Sequence, residues 1–149
     1  MKTSLTTPRD WHIGQHHIRF EPPDILWVNL QGNVTLDEVK QLTTISREQG
    51  EQRPFYIAVD LSKVETVDGA ARQHASKEIR PEWFAGVVYI GASFVTKAAA
   101  KGLALVLYFT GKMEAPIDFV HTEPEGRDHI NKLRAKKKAA QIASAPPGR

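Results

Sequence analysis

The feature that most constrains this chain is the repeated switch of its hydrophobic period between strand-like runs and helix-length segments. Residues 55–59 (FYIAV) and 86–90 (GVVYI) are continuous apolar runs, the pattern of strands covered on both faces. Residues 16–20 alternate, with Ile18 and Phe20 on one face, and 25–30 follow after a turn through Glu21, Pro22, Pro23 and Asp24. Neither proline can donate to a sheet ladder, so the pair reads as an antiparallel hairpin. Thr35 with Glu38 three residues on is a capping box, and the helix it opens places Leu36, Val39, Leu42 and Ile45 inward. Asp68 is placed to cap a second helix with small inner residues, Ala71 and Ala75, then Ile79. Ser93 opens a third helix over about 94–109. A short strand at 117–121 precedes a last helix opened by Thr122 and Glu125, with Ile130 and Leu133 facing in. The order β-β-α-β-α-β-α-β-α predicts one α/β domain over 14–135. It is a mixed five-stranded sheet with an N-terminal antiparallel hairpin and about four flanking helices. Residues 1–13 read as an N-terminal extension and 136–149 as a basic, flexible tail.

Composition narrows the function classes. At 149 residues there is room for one domain, and 41% hydrophobic residues exclude a wholly disordered chain. With no cysteine there is no disulfide framework, thiolate metal site or cysteine nucleophile. Residues 1–12 lack the apolar core of a secretory signal and no segment is long enough to span a bilayer, so a cytoplasmic location is expected. Charge is unevenly placed. Residues 127–149 hold seven Lys or Arg against one Asp, a charge of +6, and the first 126 carry −3.

Few motifs carry chemistry. The histidines at 12, 16, 17, 74, 121 and 129 show no spacing that converges three or four ligands, so no metal and no cofactor is expected. Neither a nucleophile-elbow serine nor a phosphate-binding glycine loop with Lys is present, and no enzymatic activity is expected. Ser93, with Lys97 one turn later, presents free helix-start amides to an anion, or acts as a plain cap. The third helix is apolar nearly all round, so Leu105, Tyr108 and Phe109 are candidates for a subunit interface or the wall of an apolar pocket, against the alternative of a helix sandwiched in the core. The cations Arg134 and Lys136 to Lys138 have no aromatic residue interleaved for base stacking. They read as a solvated helix end, and no nucleic-acid partner is expected.

The most specific string is 59–72, VDLSKVETVDGAAR, read as a buried strand ending at Asp60, a polar loop, and a helix begun by Asp68. It resembles the strand–loop–helix of the STAS superfamily of anti-sigma-factor antagonists. Asp60, Leu61, Ser62, Val64, Val67 and Asp68 match that pattern in kind and spacing. The serine phosphorylated in that family falls at Gly69, and Ala70 replaces the second hydroxyl. The hairpin from Phe20 to Leu26, the run Gly32-Asn33-Val34-Thr35 and the run Val88-Tyr89-Ile90-Gly91 resemble the SpoIIAA-like branch, which is related to lipid-carrying CRAL-TRIO domains.

The resemblance implies a mixed sheet flanked by helices, and fold transfers further than function. The expected role is a non-catalytic interaction domain that binds a protein partner, foremost a second copy as a homodimer, without the serine phosphoswitch. Its expected surface joins Asp60, Ser62, Asp68, Gly69, Arg72, Ser93 and Lys97, at strand ends beside helix starts. The alternative is a carrier or sensor of an apolar small molecule or lipid, lined by the third helix.

Overall fold

The computed structural model describes residues 7–91 and 117–143. The elements in order are β1 (Arg9–Ile13), β2 (His16–Glu21), β3 (Ile25–Val34), α1 (Leu36–Gln52), β4 (Phe55–Val67), α2 (Gly69–Glu78), a 3-10 turn (Pro81–Trp83), β5 (Phe84–Ile90), β6 (Ile117–Val120) and α3 (Glu123–Ala143). The strands form one sheet in sequence order, β1 to β6. β1–β2 and β2–β3 are antiparallel, while β3–β4, β4–β5 and β5–β6 are parallel.

The sheet separates two apolar layers. On one face Ile18, Phe20, Leu26, Val28, Phe55, Ile57 and Val87 pack against Val39 and Ile45 of α1 and Ala71 and Ala75 of α2. The alanines, at 0% and 1% exposure, let α2 lie close to the strands, as their size predicts. On the other face Ile25, Trp27, Tyr56, Ala58, Val88, Ile90 and Val120 receive Ile130 of α3. Strands β4 and β5 are thus covered on both sides, which accounts for their unbroken apolar runs.

Local capping sets the helix starts. Thr35 and Glu38 form the predicted capping box on α1: Glu38 N–H donates to Thr35 Oγ1 at 3.4 Å and Thr35 N–H to Glu38 Oε1 at 2.9 Å. At α3, Thr122 Oγ1 accepts from Glu125 N–H at 3.3 Å, while the Glu125 carboxylate reaches one residue further back, to His121 N–H at 3.0 Å.

Five expectations are corrected. The sheet has six strands among the described residues, because 9–13, read as an extension, pairs with β2 from Arg9↔Phe20 to Ile13↔His16. Its alternation is short and interrupted by charge, so the pairing partner rather than the pattern makes it a strand. Residues 61–67 are not a loop: β4 continues to Val67, paired among the described residues with β3 through Gln31↔Lys63, Gly32↔Val64, Asn33↔Thr66 and Val34↔Val67. The inward face of α1 is Val39, Thr43, Ile45, Ser46 and Gln49, with Leu42 only partly buried, because the stripe follows the 3.6-residue turn rather than a spacing of three. Asp68 occupies the cap position of α2 but its side chain makes no capping bond. Finally, α3 does not fade at Leu133 and runs to Ala143, on a stretch of Ala, Lys and Gln with strong helix propensity. Three α-helices are described; the helix expected over 94–109 lies outside the described residues.

Candidate functional site

Where β5 ends, β4 continues beside β3 alone among the described residues, and this asymmetry builds the first cluster. The last β4–β5 pair is Asp60↔Ile90. The Asp60 carboxylate turns back on its own strand and accepts both the N–H of Ser62, at 2.9 Å, and its hydroxyl, at 2.6 Å. Gly91 follows at φ +94° with its N–H donating to Val120 C=O at 2.8 Å. A Cβ on Gly91 would lie 3.2 Å from the backbone nitrogen of Ser62, so both the φ and the close approach require glycine.

The second cluster lies at the far end of the β3–β4 ribbon. Asp68 N–H closes it by donating to Val34 C=O at 2.9 Å. Asp68, Gly69 and Ala70 are exposed, and Arg72 is half-buried. Among the described residues a Cβ on Gly69 would meet only the Arg72 guanidinium, at 3.7 Å, which is ordinary contact. Along the ribbon between the clusters, Leu61 and Val64 face the core, while Ser62, Lys63, Glu65 and Thr66 are exposed.

The predicted site residues therefore fall into two groups. Asp60 and Ser62 lie together, and Asp68, Gly69 and Arg72 lie together, but the strand between Asp60 and Asp68 spans on the order of 25 Å. Ser93, Lys97, Leu105, Tyr108 and Phe109 lie outside the described residues. The strand order is monotonic, so the described sheet contains no point where the order reverses, the feature that locates ligand crevices in open α/β sheets.

One constellation escaped the sequence. His16, 2% exposed, accepts the Gln31 N–H on Nδ1 at 3.0 Å and bonds Glu38 Oε1 through Nε2 at 2.9 Å. Because Nδ1 accepts a backbone donor, the ring proton sits on Nε2 and points at Glu38. Burial opposes ionisation of Glu38, but the Thr35 N–H and the His16 ring outweigh it and hold its pKa below the ordinary carboxylate value. Gly14, at φ +58°, admits this carboxylate: a Cβ there would fall 2.1 Å from Glu38 Oε2. The capping box was visible in the sequence; its third partner, 22 residues away, carried no local signal.

His16 and Glu38 line a cleft with Ile13, Ile18, Leu30, Val34, Val39 and Leu42, about 200 Å³ of space open to solvent. On the edge hairpin His12 and His17 stack across strands at 4.7 Å, and His17 bonds Asp10 at 2.7 Å. Among the described residues no three His, Asp or Glu side chains form a metal-binding group, and no helix is long and apolar enough to cross a membrane. Burial raises the pKa of the Tyr89 phenol above its ordinary value.

A six-stranded mixed sheet, opened by antiparallel strands and covered by helices on both faces, with a strand running directly into the start of α2, defines the class of fold. No family model matches the sequence, and no curated protein does. Among solved structures the chain is similar to an uncharacterized protein from the DUF3478 family with a SpoIIAA-like fold, from Shewanella loihica PV-4. The TM-score is 0.53 at 14% identity, covering 89% of this chain and 98% of that one. The fold is SpoIIAA-like, as the sequence resemblance implied.

Proposed function

We propose that this chain is a SpoIIAA-like interaction domain without catalysis, docking a protein partner on the exposed end of the ribbon where β4 passes into α2. The observation that carries this reading is the first turn of α2. The position resembling the family's phosphoserine is Gly69, exposed and open enough for a side chain, yet without a hydroxyl, as is Ala70 beside it. A docking surface there is constitutive, because no phosphate can be added at that position to repel a partner.

The partner is a second copy of the chain. Asp68 and Arg72 place opposite charges on one small patch, and a two-fold axis can pair them reciprocally. Sedimentation velocity on wild type and Arg72→Glu tests this. The wild type is expected to sediment as a dimer and the variant to shift towards monomer with an unchanged circular dichroism spectrum. A wild type that stays monomeric at every concentration, or a dimer indifferent to Arg72→Glu, overturns the reading.

A further inference from the structure

The last helix continues past its last buried contact with the described residues of the domain. Ile130 is the last buried residue of α3, Leu133 packs at the margin, and Arg134 is held by Asp24. From Ala135 to Ala143 every residue is exposed, an arm of about 13 Å at ~1.5 Å per residue. Lys136, Lys137 and Lys138 sit on it, Lys132 lies one turn before, and no acidic residue follows Asp128. Among the described residues none of these four lysines has an ion-pair partner.

Charge decides what such an arm can meet. A second copy's arm would set lysine against lysine, so the surface that this arm meets carries negative charge. Successive helix residues are ~100° apart, which sends Lys136 and Lys138 out on opposite sides of the cylinder. A flat anionic surface engages one side of a helix and leaves the other lysine in water. A groove walled by phosphates engages both, and the major groove of B-form DNA, ~12 Å wide, admits a helix. The absence of aromatic residues argues against stacking on single strands and leaves phosphate contacts to a duplex untouched.

We propose that the arm Ala135–Ala143 seats in the major groove of double-stranded DNA, with Lys136 and Lys138 contacting phosphates on opposite walls and no selection of sequence. Fluorescence anisotropy of short labelled duplexes tests it, using the whole chain. Wild type is expected to bind duplexes of unrelated sequence equally, with a log–log salt slope of about −2 to −3, the release expected for two or three phosphates. Lys136→Glu with Lys138→Glu should weaken binding by roughly tenfold or more. Lys40→Glu with Lys77→Glu, the same change in net charge at exposed positions on α1 and α2, should leave it unchanged. Ala139→Pro keeps every charge but breaks the arm, and should weaken binding too. No binding at low salt overturns the proposal, as does an equal loss in the control pair, full binding by Ala139→Pro, or preference for phosphatidylserine vesicles over duplex.

Discussion

At the scale of single residues, Glu38 performs two tasks with one carboxylate: it completes the cap of α1 and anchors the hairpin through His16. Its pKa is depressed on folding, so the stabilisation is fully present above the unfolded value of about 4.3 and is lost as pH falls through the folded value. Urea unfolding of wild type and Glu38→Gln from pH 7 down to pH 3 is expected to show the wild-type advantage shrinking below about pH 4.3; an advantage that grows with acid would contradict it. Gln49 presents the opposite case. It is fully buried on α1, and neither its Oε1 nor its Nε2 meets a hydrogen-bond partner among the described residues. A buried amide left unpaired costs ~1–3 kcal/mol, and leucine has similar volume. Gln49→Leu is therefore expected to raise unfolding stability by about 1 kcal/mol in chemical denaturation, and a loss of that size would show that the amide is satisfied in solution.

At the scale of elements, α3 is fixed to the sheet by charge as well as by Ile130. Arg127 makes two 2.6 Å bonds to Glu21 and lies 5.0 Å from the Trp27 ring centre, which Arg19 also approaches at 5.2 Å. Arg19 pairs with Glu123, and Arg134 pairs with Asp24 while approaching the ring of Tyr56. The Arg127 hydrogen bonds, against an opposing contribution from burial, hold Glu21 below the ordinary carboxylate pKa. All these partners precede residue 135, so deleting 136–149 is expected to leave the unfolding midpoint nearly unchanged. A midpoint that falls by several degrees, or a loss of cooperativity, would show that the arm is docked on the domain. The ribbon is another element that the pattern alone misjudged. Residues 61–67 contain Ser, Lys, Glu and Thr and read as a polar loop, yet Leu61 and Val64 keep a core face while Gln31 to Val34 supply the pairing.

At the scale of the whole molecule, the class of fold was legible because most of its signals are local or periodic. The apolar runs of β4 and β5, the Thr35 and Thr122 caps and the inward alanines of α2 each lie within a few residues of one another, and each reappears in the structure. The resemblance of 59–72 to the STAS superfamily reached the fold by the same local route. Of the candidate surface, the sequence placed Asp60 at a strand end, Ser62 just after it and Gly69 at a helix start, but joined them across a loop that is a strand; the bonds from Ser62 to Asp60 came from the structure. What tertiary structure alone decided are matters of which surface meets which: the pairing of 9–13 with β2, the extension of β4 beyond β5, the bond from His16 to Glu38, and the bond from Arg127 to Glu21 across 106 residues. Caps and periods arise from a chain's interaction with its own next turn, so they are written in short words of sequence. Register and ion pairs arise when distant segments are brought together by burial, and their cost or gain exists only once both partners have left water.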